Sequence, residues 1–240
     1  MAFLVQGGAF LVQGGAPPDS SVTTAKIVDD AVTLAKLAAG TDGELITWDT
    51  SGNPAAVAVG TATHVLTSNG AGAAPTFQAA AGLTLGTPVA TTSGTTINVT
   101  SIPSGTKFIS ITFNAVSLNG NNSPRIRIGD SGGIETSSYV SLAQKLIASS
   151  NAGASSTAGF DVLPNDDWGA AETFNGVFNL VKESGSSNTW TGWGIVNRAT
   201  AQTYMWYGIK ALSAELDRFQ LTTNDGSDTF DAGELGYVYG

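Results

Sequence analysis

Catalysis needs side chains that move protons, hold metals or attack, and this chain places few of them in useful company. It has no cysteine and a single histidine, His64. Disulfides, thiolate metal sites, most zinc sites and His-dependent triads are thereby excluded. Arg125 and Arg127 sit two apart on a predicted strand and so share one face. A phosphate clamp is the sharp reading of that pair, and an ordinary sheet-face pair the plain one. Asp166 and Asp167 are adjacent, which on a strand sends them to opposite faces. A glycosidase needs two carboxyls converging about 5–10 Å apart across the sugar. Asn224-Asp225-Gly226-Ser227-Asp228, with Asp231 beyond, gathers the oxygen ligands that calcium favours. EF-hand spacing is absent, and Asn-Asp-Gly between two strands is first of all a hairpin turn, because those residues tolerate positive φ. No catalytic residue, metal or cofactor is expected, and the chain reads as a non-enzyme.

Aromatic side chains are the remaining candidates. Trp190 and Trp193 lie three apart on a predicted strand and face opposite sides, whereas Tyr204 and Trp206 fall on one face. Packing in the core or between subunits accounts for them. The alternative is sugar stacking, a flat ring against the apolar face of a pyranose beside a carboxylate. Asp166-Asp167-Trp168 follow Pro164 in a predicted loop, where recognition residues concentrate. Trp168, Asp166, Asp167, Tyr204 and Trp206 are therefore the receptor-binding candidates.

Composition narrows the setting. Only 12% of the 240 residues are charged, about half the usual share, and 30 are glycine. The net charge of −9 argues against nucleic acid, which needs clustered Lys and Arg. No apolar run approaches the roughly 20 residues of a membrane-spanning helix, so no membrane insertion is expected. Met1 to Gly15 lacks the positive residues of a secretion signal. The chain is expected to reach its place by assembly rather than export.

Three segments are legible. In residues 1–22, Ala2-Phe3-Leu4-Val5-Gln6-Gly7-Gly8 is repeated without change at Ala9 to Gly15. Two glycines per unit make a poor heptad helix. Phe3, Leu4, Val5, Phe10, Leu11 and Val12 instead suit a sticky peptide that docks into a partner; a recent duplication without function fits as well. Residues 23–82 carry two further repeats. Thr23-Thr24-Ala25-Lys26-Ile27 returns as Thr33-Leu34-Ala35-Lys36-Leu37. A short helix is predicted over 25–39, with Ile27, Ala31, Leu34 and Ala38 on one stripe. Alone it would be marginal, so its stripe needs a partner. From Thr41 the period is twenty: Leu45-Ile46-Thr47 matches Val65-Leu66-Thr67, and Gly52 matches Gly72. Each unit reads as strand, Gly/Asn turn, strand. Large apolar residues are too few there for a core, so the segment is either disordered or builds its core from several chains; the regular repeats favour the second, as in a cyclic trimer wound round an axis. Ile27, Leu34, Leu45, Trp48, Val65 and Phe77 are the candidates for that contact.

Residues 83–240 change character, with large apolar side chains at roughly a third of positions. Strand-like alternation runs through 97–99, 109–113, 125–128, 139–148, 158–163, 173–182, 189–197, 203–212, 217–223 and 235–239, separated by Gly/Asn/Ser clusters. Many short strands without a convincing helix predict an antiparallel β-sandwich of jelly-roll size. The weakest of these strands is 139–148, where Leu142, Lys145 and Leu146 also suit a helical turn.

Several of these stretches resemble phage fibre proteins. Gly43 to Val57, and Val65-Leu66-Thr67-Ser68-Asn69-Gly70 through Phe77, look like a connector of tail-fibre and other virion fibre proteins. Val32 to Leu37 is similar to the repeat that precedes it in those proteins. Ile102-Pro103-Ser104-Gly105, the run Ile128 to Glu135, and Thr222 to Gly233 resemble a terminal β-domain of such fibres. The resemblance implies a mainly-β homotrimer: a virion-anchoring segment 1–22, an extended stalk 23–82 and a jelly-roll-like β-sandwich tip 83–240. It implies other virion proteins as partners at the N-terminus and a host surface glycan at the tip, on the surface of a particle assembled in the host cytoplasm. A capsid or collar decoration protein without a receptor, or a carbohydrate-binding module, are the alternatives.

Overall fold

A computed structural model describes residues 23, 27, 39–146, 153–162, 169–170, 172–198 and 202–240. Every regular element among them is a strand, and every pairing is antiparallel. The helix predicted over 25–39 lies almost wholly outside the described residues. Contacts divide the chain into two units, Met1–Ala80 and Ala81–Gly240.

The first unit holds two hairpins that follow the period-twenty repeat. Strands β1 (Leu45–Trp48) and β2 (Pro54–Val57) pair, as do β3 (His64–Thr67) and β4 (Thr76–Ala79). Polar side chains shape each turn. Asp49 accepts from the amides of Ser51 and Asn53, both at 2.8 Å, and Gly52 supplies a φ of 81°. Those hydrogen bonds, the Asn53 amide foremost, hold the Asp49 carboxyl below its usual range. In the second hairpin Asn69 Nδ2 donates to the Ala74 carbonyl at 2.7 Å. The hairpins bury little else: Val57 is the one fully buried large apolar side chain among the described residues of this unit.

Among its described residues the second unit has fourteen strands, short and long. Edge pieces come first, β5 (Thr84–Leu85), β6 (Val89–Ala90) and β7 (Ile97–Val99). Then come β8 (Phe108–Leu118), β9 (Pro124–Asp130), β10 (Gly133–Ile134), β11 (Tyr139–Leu146), β12 (Gly153–Ser156) and β13 (Phe160–Asp161). The chain finishes with β14 (Thr173–Lys182), β15 (Thr189–Arg198), β16 (Gln202–Ala211), β17 (Leu216–Thr223) and β18 (Phe230–Tyr239). One sheet has nine strands, ordered β12-β11-β16-β15-β14-β8-β18-β5 with β6 beside β18. The other has five, β10-β9-β17-β7 with β13 beside β9.

The two sheets face each other across a single apolar core, a β-sandwich. Rings fill its middle. Phe178 of β14 stacks on Trp206 of β16 with centroids 5.6 Å apart, and Phe160 of β13 meets Phe178 at 5.2 Å. Such pairs add about 0.5–1.5 kcal/mol each beyond simple burial. They fit because β15, lying between β14 and β16, presents glycine beneath them. A Cβ on Gly192 would stand 2.6 Å from Phe178, and one on Gly194 2.6 Å from Trp206 and 2.5 Å from the Val177 carbonyl.

Two predicted strands differ in the structure. The run 158–163 is regular only at Phe160–Asp161, with a separate β12 before it. Side chains hold the bend between them: Arg127 Nε donates to the Ala158 carbonyl at 2.9 Å, and Ser141 Oγ to Gly159 O at 2.8 Å. The last strand begins at Phe230, five residues early. Its pairing with β8 slips twice, around Gly233, whose φ is 90° and where a Cβ would meet Ala115 O at 2.4 Å. That bulge breaks the alternation by which the sequence announces a strand.

The glycine slots make an expectation for stability. Gly194→Ala should destabilise by about 1–3 kcal/mol through overpacking and lower the thermal midpoint by about 3–10 °C. Gly185→Ala, with open space around it, should leave the midpoint unchanged in the same melting experiment.

Candidate functional site

The polar groups singled out for chemistry are bound up in holding loops. Arg125 and Arg127 share a face of β9, as their spacing implies. Arg125 pairs with Asp161 across the strands and donates to Asn224 O at 2.9 Å, so both guanidiniums clamp the 153–162 segment. Asp225 accepts from Ser227 N at 2.9 Å and from Asn122 Nδ2 at 2.9 Å, while Asp228 accepts from Asn122 N at 2.8 Å. Asp231 accepts instead from Ser117. The Ser227 hydroxyl and amide hold the Asp225 carboxyl below its usual range. These carboxylates tie one loop to another, with Gly226 at φ 76° making the turn. Among the described residues no three acidic or histidine side chains converge on a point that could hold a metal.

A second polar corner lies where β16 leaves the nine-stranded sheet. Lys210, 2% exposed, pairs with Glu135 and lies over the Tyr139 ring, 5.2 Å from its centroid. Ile128 N donates to the Tyr139 hydroxyl at 2.9 Å, which bridges the two sheets. Burial pushes the Tyr139 phenol above its usual value, so it stays protonated. Burial alone would raise the Glu135 carboxyl, but Lys210 and the Ser213 amide more than offset this and hold it low. Ser213 Oγ at 2.6 Å does most to lower Asp130. A satisfied corner of this kind fixes the loops that meet there.

The receptor candidates separate. Trp168, Asp166 and Asp167 lie outside the described residues, as do Leu34 and the apolar anchor residues Phe3, Leu4, Val5, Phe10, Leu11 and Val12. Tyr204 and Trp206 share a face, as read from their spacing, but that face is the core. They are 0% and 1% exposed, and a sugar cannot stack on either. The reading of these two as receptor contacts is corrected accordingly: the Gly192 and Gly194 slots draw the rings of this parity inward. Of the contact candidates in residues 23–82, Ile27, Leu45, Trp48 and Val65 are exposed, and Phe77 is half-buried.

What faces out instead is a second set of apolar residues on the same strands. The strand register lays them in rows across β11, β16, β15 and β14. Val140 stands beside Ile209, Thr191 and Val181; Leu142 beside Tyr207, Trp193 and Asn179; Gln144 beside Met205, Ile195 and Val177. Val140 is 74% exposed, Tyr207 60% and Trp193 45%. No charged side chain stands in these rows. Farther along the same face, β8 and β18 present Ser110, Thr112, Asn114, Glu234 and Gly236, with Val238 and the exposed Leu85 of β5 beyond them at the far edge. A polar strip on β8 and on β18 at Glu234 and Gly236 thus borders the apolar rows, and Val238 and Leu85 lie at its far edge. From fractional exposures and side-chain areas, the six most exposed apolar residues of the patch leave about 600 Å² open, the top of the range for a solvated monomer.

This patch was not named from the sequence. The spacing sets Trp193 opposite Trp190, but nothing within a single strand marks Trp193 or Tyr207 as outward. The glycines at 192 and 194, two apart on the Trp190 side, are the signal that could have done so. A scan against models of protein families, a search of curated proteins and a search of solved structures each found no match to this chain.

Burial sets the expected contrast between two tryptophans. Trp206→Ala should cost about 3–5 kcal/mol of stability, and Trp193→Ala under about 1 kcal/mol in dilute solution. Denaturant titration of both variants checks this, and equal losses would contradict the assignment of faces.

Proposed function

We propose that this chain is a structural, non-enzymatic subunit of a phage particle: a homotrimeric fibre whose repeat-bearing front segment forms a stalk and whose jelly-roll-like C-terminal sandwich faces the host. One observation carries the reading. The hairpins of the period-twenty repeat leave Leu45, Ile46, Trp48, Val59, Val65 and Leu66 exposed in the single chain. Regular strands that show their apolar side chains to water need a further surface, and a repeat along a thin stalk meets its symmetry mates at regular intervals. The resemblance of 43–57, 65–77 and the C-terminal motifs to virion fibre proteins supports the same reading. A satisfied polar corner and carboxylates engaged in loop ties favour a structural role over hydrolysis.

Attachment follows from multiplicity. Three tips per fibre and several fibres per particle let weak contacts add through effective concentration. The receptor contact is assigned to Asp166, Asp167 and Trp168, since Tyr204 and Trp206 are buried.

Gold-labelled antibodies against residues 81–240, applied to virions of the phage that encodes the chain, should mark the free ends of fibres. Soluble full-length chain should also compete with those virions for adsorption to host cells. Label spread over the capsid with no competition would favour a decoration protein, and virions without label would remove the proposal.

A further inference from the structure

The apolar rows on the outer face of the nine-stranded sheet are built wholly from β11, β14, β15 and β16 of the second unit. We propose that three copies of this chain bring these rows together around a common axis, with Tyr207 at their centre, so that the C-terminal unit carries its own self-association surface. The inference rests on the trimeric reading above, and adds where the second unit makes contact.

Charge selects the occupant. Each chain carries a net −9, so copies repel wherever acidic groups face one another. The residues of the rows around Tyr207 include no carboxylate, and the one that reaches them is Glu183, which accepts from Thr191 Oγ1 at 3.3 Å at their end, whereas the β18 side of the face carries Glu234 itself. These rows are therefore a place where like-charged copies can approach closely. Side-chain type argues against a glycan there. Val140, Ile209, Ile195 and Val177 are branched aliphatics set around the two rings, and they outnumber the two amides of the rows, Asn179 opposite Trp193 and Gln144 opposite Met205. A pyranose needs hydrogen-bonding groups beside its stacking ring, and branched aliphatics instead want apolar complements.

Size is in keeping. About 600 Å² of open apolar side chain approaches the roughly 800 Å² per partner of a standard interface before rim atoms are counted. The strand β12 at the edge beside the patch contributes Gly153 and Ser155 opposite Gln144 and Leu142, small residues that leave the face open to a neighbour. Tyr207 stands between Leu142 and Trp193 across the strands, with Met205 and Ile209 two residues away on either side. A ring so surrounded has the position of an interface hot spot.

Because the chain has no cysteine, a single introduced thiol reports its own neighbours. Full-length Met205→Cys and Ile209→Cys, oxidised under mild conditions, should give chain dimers on denaturing gels through self-contact near the axis. Thr112→Cys, on the polar strip, should not. Tyr207→Glu in the full chain should weaken self-association at least about 30-fold in sedimentation velocity, while its circular dichroism matches the parent. A chain that sediments as a trimer but links at neither Met205→Cys nor Ile209→Cys, and is indifferent to Tyr207→Glu, overturns this inference and leaves the fibre reading intact. In that event glycan-array binding lost in Tyr207→Glu would assign the patch to a sugar. A parent chain that sediments as a monomer at all concentrations overturns both. Links at position 205 with a mass of two chains uphold the patch as a copy–copy surface but contradict threefold symmetry.

Discussion

A β-sheet has two faces, and each apolar face must be covered by something. In this protein the inner faces are covered within the chain, by rings from one sheet set against rings and branched side chains from the other. Phe178, Trp206, Phe160 and Tyr139 form that layer, and it closes because Gly192 and Gly194 leave room for the rings between them. The outer faces obey the same requirement, and there the single chain runs short. On the hairpins of the front unit and on part of the large sheet, apolar side chains remain open to water. The distribution of covered and uncovered faces is the physical fact from which the functional reading follows.

The polar residues complete the division of labour. Arg125 with Asp161, Lys210 with Glu135, and Asp225 and Asp228 with Asn122 all lie at loops that close the sandwich. Partly buried charges cost energy when unpaired, so each is matched by an opposite charge or by hydrogen-bond donors. Their work is to hold the irregular connections of an all-β unit in place.

Much of the fold could be read from alternation alone. Strands 173–182 and 189–198, and the turn at Asn224–Gly226, stand where Gly, Asn and β-branched residues place them. The weak strand at 139–146 is held by tertiary pairing with β16, which overrides its helical spacing. Alternation could not say which parity of β16 points inward. Tyr204, Met205, Trp206, Tyr207, Gly208 and Ile209 are apolar at nearly every position, and Lys210 lies on the buried parity, against the usual sense of a charge. The decisive information sits on the neighbouring strand, in two glycines two residues apart. Register between strands far apart in sequence decided the matter, and spacing within one strand is silent on that. In the front unit the opposite held: the turns and hairpins were legible because they are local, set by Asp49, Gly52, Asn69 and Gly72.

A fibre stalk requires that the hairpins be completed by other copies rather than by their own chain. Hydrogen exchange of the amides in 45–48 and 64–67, followed across chain concentration, tests this most directly. Protection should rise steeply as the chain associates and be nearly absent where it is monomeric. Strong protection of those amides in a dilute, monomeric chain, unchanged by concentration, would contradict it.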